Sequence, residues 1–335
     1  MTSLLTSLAF ALSLQTPTAE PPALPPTEQV MQEAAAISGQ VRSPFARALL
    51  GGFGCLPSVA PRVAYYNKDT RKALSEADAS KMTEAELTGF ARKDIDERFY
   101  YFTRYGTPVA FVRPMEILGA AGLKSPEGLK IADFGFGSIG QLRALASIGA
   151  NATGIEVDPL LQVIYAGEPG PVARCAVAGA GRDGSIQLVF GQFPADPAVV
   201  KQVGGGYDVF VSKNTLKHGY IHPEREVDPR MLVHLEVDDE TFVRAVYDVL
   251  KPGGYLLIYN LCPAPSTPDE PYKPWSDGRS PFVREVYERV GFKVLAFDVD
   301  DTPAARAMGK TFEWGTEEEL ATDLFGTYTL LQKTR

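Results

Sequence analysis

From residue 128 onward, short apolar runs alternate with amphipathic stretches at the spacing of β-α-β units. The runs at 130–134, 151–156, 185–190, 207–211, 255–259, 292–298 and 327–332 have the length and bounding Gly, Pro, Asp or Asn residues of strands. Helical patterns at about 139–148, 159–166, 239–250 and 281–290 fall between them. Together they predict an α/β fold, a mostly parallel seven-stranded sheet with right-handed crossovers and helices on both faces.

Before residue 128 the pattern changes. Ala- and Leu-rich stretches at 28–50 and the capping-box spacing Thr83-x-x-Glu86 predict a helical extension or cap over 28–127. It ends in Phe99-Tyr100-Tyr101-Phe102-Thr103-Arg104-Tyr105, too aromatic for a solvated face. Residues 16–27 are rich in Pro and Thr and read as an extended linker. Within the α/β domain, 128–335, two segments stand out. The Pro-rich loop 262–280 carries Tyr272, Trp275 and Arg279 and suits a lid. The insertion 301–325, expected to add one helix or two, is assigned to substrate choice or to a homodimer contact.

The first 27 residues leave localisation open. Leu4 to Leu14 has the length of a signal-peptide core, and Thr16 to Ala19 resembles a small-residue cleavage site, which favours export. No Lys or Arg precedes the run, and a cytoplasmic protein with an irregular N-terminal helix is the alternative. The run is too short to span a bilayer, so no stable membrane insertion is expected.

With 335 residues, 45% of them hydrophobic, the chain can bury a full core. Its 33 Lys and Arg against 41 Asp and Glu give a net charge of −8, and no basic run would neutralise phosphates in series, so nucleic acid is not an expected partner. Cys55, Cys175 and Cys262 are odd in number and far apart, which reads as ordinary buried thiols.

The chemistry concentrates at the first strand of the domain. Lys130 to Phe134 runs into Gly135-x-Gly137-x-x-Gly140 and then a helical pattern, the strand-to-helix turn on which adenosine cofactors lie. That spacing alone serves dinucleotides equally well. Asp133, however, stands where a carboxylate would repel pyrophosphate and attract a cation. Glu156, at the end of the next strand, suits ribose hydroxyls in either case, with Asp158 beside it. Lys251-Pro252-Gly253-Gly254 then ends a helix and launches a buried strand.

In combination, these motifs resemble the class I S-adenosylmethionine-dependent methyltransferases, a Rossmann-like family, over about the last 200 residues. The resemblance implies S-adenosyl-L-methionine as cofactor, with Gly135, Gly137 and Gly140 bordering its methionine part and Glu156 on its ribose. It places adenine at Gln192 and Phe193, where Gln192 departs from the family's frequent Asp. The segment after the fourth strand, with Ser212 and Asn214, is where donor and acceptor would meet. The Asn-Pro-Pro-aromatic or Asp-Pro-Pro-aromatic signature of nucleobase and protein-amide methylation is absent from it. Arg104 is a candidate partner for the cofactor carboxylate.

Methyl transfer needs alignment, desolvation and, for some acceptors, a base. His218 and His222 lie in the acceptor-side segment and are candidate catalytic bases. Metal ligation by His218-x-x-x-His222 with Glu224, Glu226 and Asp228, and plain surface histidines, are the alternatives; no metal is assigned. The expected function is methyl transfer to an oxygen or nitrogen of a small molecule. A nicotinamide-dependent oxidoreductase and a non-catalytic exported protein retaining the fold stay open beside it.

Overall fold

The computed structural model describes residues 24–103, 106–176 and 179–334. The candidate signal segment, most of the linker and Arg104 lie outside the described residues.

The segment before the domain is mixed rather than all helical. It folds as α1 (Pro26–Ile37), α2 (Pro44–Phe53), β1 (Arg62–Asn67), β2 (Lys72–Ser75), α3 (Glu76–Ala79), β3 (Ala91–Ile95), α4 (Glu97–Tyr101) and α5 (Val112–Ala120). The three strands form a small antiparallel sheet in the order β2-β1-β3. Its strands bury so few side chains, Ile95 alone in β3, that apolar alternation does not mark them. The capping box at Thr83 does form, with Glu86 Oε2 accepting from Thr83 N at 2.8 Å and Thr83 Oγ1 from Glu86 N at 3.4 Å. It closes only turns, because the chain reverses at Gly89 (φ +85°) and enters β3.

All seven expected strands are present: β4 (Lys130–Phe134), β5 (Asn151–Glu156), β7 (Gly184–Phe190), β8 (Tyr207–Lys213), β9 (Leu250–Cys262), β10 (Phe292–Asp300) and β11 (Phe325–Lys333). A short eighth, β6 (Gly170–Val172), joins the edge beside β7. The sheet order is β10-β11-β9-β8-β4-β5-β7-β6. β9, β8, β4, β5 and β7 are parallel, whereas β11 runs antiparallel between β9 and β10. The last of the seven thus separates the fifth from the sixth, unlike the 3-2-1-4-5-6 order of dinucleotide-binding sheets. Helices α6 (Gly140–Ser147), α7 (Pro159–Ile164), α8 (Pro197–Val203), α9 (His218–Ile221), α10 (Asp239–Val249) and α11 (Arg284–Val290) connect the strands. The insertion supplies α12 (Thr302–Thr311) and α13 (Glu317–Asp323).

One hydrophobic core runs through the extension into the sheet: Val30, Phe45, Leu49 and Phe53 share a cluster with Ile131, Leu142, Leu145 and Leu257. α2 lies so close to α6 that a Cβ at Gly52 would collide with the Ala144 backbone. Tyr100 and Tyr101 are packing residues, not cofactor contacts. Both are buried, with Tyr101 Oη donating to Pro57 O at 2.6 Å and Tyr165 Oη to Tyr100 O at 2.8 Å. Among the described residues no helix is long and apolar enough to cross a membrane.

Cys55 and Cys175 are not ordinary thiols. They form a disulfide between the end of α2 and the segment after β6, with Cα atoms 6.0 Å apart. Their 120-residue separation hid the pairing, since spacing carries no information about contacts made by folding. Cys262 is free and buried. Thiol titration of the unfolded, unreduced protein is expected to count one thiol, and Cys175→Ser to cost about 2–4 kcal/mol in urea unfolding. Three thiols and an unchanged unfolding midpoint would contradict the bridge.

Candidate functional site

β4 delivers Asp133 to the middle of the sheet's C-terminal edge, between β5 and β8. The chain then turns through Gly135 (φ +72°) and Gly137 (φ +63°), both left-handed, into α6. The glycines are demanded by the protein's own packing as well. A Cβ at Gly135 would strike the Thr215 side chain, and one at Gly140 would stand 2.8 Å from Pro108 Cβ. Gly140 therefore serves the seating of the extension on α6 and does not line the site.

The turn borders a cavity of about 1050 Å³. Asp133, Gly135, Gly137, Glu156, Asp158 and Asn214 line it, as the sequence led us to expect. The extension adds Phe99, Phe102 and Thr103, and the insertion adds Phe312 and Trp314. Among the described residues its charge is one-sided: Glu33, Asp96, Asp133, Glu156, Asp158 and Glu313 stand against Arg98 and Lys213.

Asp133 is 1% exposed. Its Oδ2 accepts from Gln141 Nε2 at 3.0 Å, while its Oδ1 is buried with no partner. Gln141 is held for this by a second bond to Phe136 O at 2.7 Å. Burial pushes the Asp133 carboxyl up to about 7, against the opposing pull of Gln141 and the Lys213 cation. Burial likewise depresses Lys213 to about 8, with Asp133 opposing. Glu156 is raised by burial, although Val157 N at 2.8 Å and Gly137 N at 3.4 Å donate to its carboxylate. Lys213 and Gln141 escaped sequence reasoning. A lysine closing the otherwise buried strand Tyr-Asp-Val-Phe-Val-Ser was the available signal for the first.

Three other expected contacts, and the Lys251–Gly254 turn of the family resemblance, lie outside the cavity. Phe193, 1% exposed, packs its ring among Phe134, Phe210 and Phe242, so it is core. Gln192 starts the turn before α8, its carbonyl accepting from Asp196 N at 2.8 Å, and does not line the cavity. Ser212 is buried and caps Leu216 N at 3.2 Å. Lys251 to Gly254 lies at the opposite end of β9, where a Cβ at Gly254 would sit 2.8 Å from Tyr207 O; it shapes the sheet, not the site.

Neither His218 nor His222 lines the cavity. His218 Nδ1 bonds Asp277 Oδ2 at 2.8 Å, and His222 Nε2 bonds Asp239 Oδ1 at 3.0 Å. His218, Glu224 and Asp277 do cluster, but Arg279 Nη2 bonds Glu224 at 2.5 Å and Asp277 at 2.6 Å, so a guanidinium already fills the space between the acids. The segment's function is to anchor the 262–280 loop, which Asn260 Nδ2 also ties down through Gly278 O at 3.0 Å.

No family model matches the sequence, and no curated protein does. Solved structures similar to this chain include phosphoethanolamine N-methyltransferase 2 of Haemonchus contortus in complex with S-adenosyl-L-methionine, at 13% identity and a TM-score of 0.40, over 82% of this chain and 68% of that one. Another is the magnesium protoporphyrin IX methyltransferase of Synechocystis PCC 6803 with bound SAH, at 15% identity and a TM-score of 0.35, over 68% and 83%. A third is the 4+2 cyclase SpnF, at 15% identity and a TM-score of 0.36, over 93% and 98%. What the cavity can bind follows from its own residues.

The ligand-free protein carries a pH signature of Asp133. Between about pH 4 and 7 the folded state keeps a proton that the unfolded state has released, so this group's stabilisation is lost as pH rises through that window. The rise from 3.8 to about 7 corresponds to at most about 4 kcal/mol. Urea unfolding of wild type and Asp133→Asn at pH 5 and pH 8 is expected to show the variant gaining relative stability at the higher pH. A pH-independent difference would place the carboxylate in water.

Proposed function

We propose that the protein is an S-adenosylmethionine-dependent methyltransferase acting on an oxygen or nitrogen of a small molecule. The observation that carries this is the buried, half-satisfied Asp133 in a cavity whose described residues bring six carboxylates and two cations. A buried carboxylate oxygen without a donor costs several kcal/mol unless a ligand supplies one. An ammonium group meets both the unpaired oxygen and the surplus negative charge, and a sulfonium meets the charge; a pyrophosphate meets neither.

On this reading Asp133 Oδ1 receives the ligand's ammonium group, with Gln141 fixing the carboxylate's orientation. Glu156 and Asp158, at the tip of β5 and the start of α7, receive the ribose hydroxyls. Phe136 and Leu161 offer apolar wall for the base, the part first assigned to Phe193. The cofactor supplies a methyl group already activated by its sulfonium, so the protein's contribution is alignment and exclusion of water. Phe99, Phe102 and Trp314 close the cavity over that position. A nicotinamide-dependent oxidoreductase is disfavoured by the same carboxylates, by Asp133 at the end of β4 just before the glycine turn, and by the strand order.

Calorimetric titration at pH 8 is expected to show binding of S-adenosylmethionine and none of nicotinamide dinucleotides. Asp133→Asn is expected to weaken binding by roughly tenfold to a hundredfold, the value of a charge-assisted hydrogen bond. Tight dinucleotide binding without S-adenosylmethionine binding would overturn the proposal.

A further inference from the structure

Beside the large cavity lies a smaller one of about 210 Å³, and the two share Asn214 and Trp314 in their walls. Tyr220 from α9, Trp275 from the 262–280 loop and Trp314 from the insertion give it aromatic sides, and Leu261, Pro263 and Leu324 complete an apolar lining. A cavity of about 150 Å³ holds benzene, so this one has room for a single substituted ring.

Two charged side chains interrupt the apolar wall: Asp323 from α13, whose Oδ1 accepts from Ala264 N at 3.1 Å, and Lys217. Lys217 is 3% exposed, and its Nζ donates to Leu261 O at 2.6 Å and to Trp275 O at 3.1 Å. Those bonds use two of its three N–H groups, and among the described residues no carboxylate stands within ion-pair distance of it. A buried cation bonded only to neutral carbonyls is costly, and an anionic ligand atom would relieve it. Asn214, between the cavities, is held rigidly. It takes φ +66°, which asparagine tolerates, with its Oδ1 accepting from Leu261 N at 2.7 Å.

Resting on the methyltransferase reading above, we propose that the small cavity binds the methyl acceptor as a planar aromatic ring bearing an ionisable hydroxyl, with the hydroxyl oxygen on Lys217 Nζ. The acceptor class is then a phenol. On binding, the phenolic O–H bond breaks and its proton leaves to solvent, while the third N–H of the Lys217 ammonium donates to the phenolate oxygen that remains. That oxygen keeps the lone pair that methylation requires, and it lies on the side of the cavity that Asn214 and Trp314 share with the donor site. The role falls to Lys217 and not to the histidines, neither of which borders either cavity.

Burial holds Lys217 down at about 8, so below that pH it is largely the ammonium that pairs with a phenolate. The titratable groups around it are Cys262 on β9, Lys213 on β8, Asp277 in the loop and Asp323 on α13, which lines the same cavity. Cys262 is itself raised by burial, which keeps it a neutral thiol beside the lysine.

4-Nitrophenol tests this without any methyl transfer, because its anion absorbs in the visible. Titrated into the whole protein below the pH at which free 4-nitrophenol ionises, it is expected to appear as bound 4-nitrophenolate. Lys217→Met is expected to abolish the spectral shift with the circular dichroism spectrum unchanged, and Lys217→Arg to keep it. Trp275→Ala, which leaves the backbone carbonyl in place, is expected to weaken binding roughly tenfold while preserving the shift. Benzoate competing equally well would replace the phenol by an aromatic acid and overturn the acceptor class. Absence of the shift in wild type, or an equal shift in folded Lys217→Met, would overturn the site. S-adenosylmethionine binding is measured separately by calorimetry: its failure with the nitrophenolate shift intact defeats the methyltransferase reading alone.

Discussion

An unpaired oxygen, Asp133 Oδ1, organises the site. It sits at the tip of the central strand β4, inside a sheet whose neighbours β5 and β8 remove it from water. Burying a carboxylate there is unfavourable in isolation, and the surroundings only partly compensate: Gln141 satisfies the other oxygen, and Lys213 adds a cation at longer range. The remaining deficit is a specification for a ligand. It must be cationic, must bring a hydrogen-bond donor, and must fit a turn already shaped by Gly135 and Gly137.

The sheet positions that carboxylate, but the cover decides what else fits. The extension reaches the cavity through Phe99 and Phe102 and is fixed to the domain by a shared core, by the Tyr165 hydroxyl donating to Tyr100 O, and by the Cys55–Cys175 bridge. The insertion between β10 and β11 contributes Phe312 and Trp314, so its position argues for a part in substrate choice. The 262–280 loop brings Trp275 to the smaller cavity, and Arg279 pins that loop through Asp277 and Glu224. The segments added to the sheet thus supply much of the wall of both cavities, a common division of labour in α/β proteins.

Local pattern made the sheet legible. The runs 130–134 and 151–156 match β4 and β5 to the residue, because a buried parallel strand must be apolar and must end where the turn begins. Asp133, Glu156 and the glycines were legible for the same reason: strand, turn and helix are contiguous in sequence. The rest depends on contacts between distant residues. Phe193 follows a strand end, as a cofactor contact would, yet three rings from other elements enclose it. His218 and His222 look chemical in sequence, and their partners Asp277 and Asp239, and their place outside both cavities, come only with the fold. Lys217 had no signal at all, since its burial is created by Leu261 and Trp275, more than forty residues later.

The most direct test of the cation-binding carboxylate is the proton balance on binding, measured by calorimetric titration with S-adenosylmethionine in buffers of differing ionisation enthalpy. At pH 6 the Asp133 carboxyl of the free protein is largely protonated, and a cation must displace that proton. Release of close to one proton at pH 6, falling away above pH 8 and absent in Asp133→Asn, is the expected result. Binding with no proton release at pH 6, or with the same release in the variant, would contradict it.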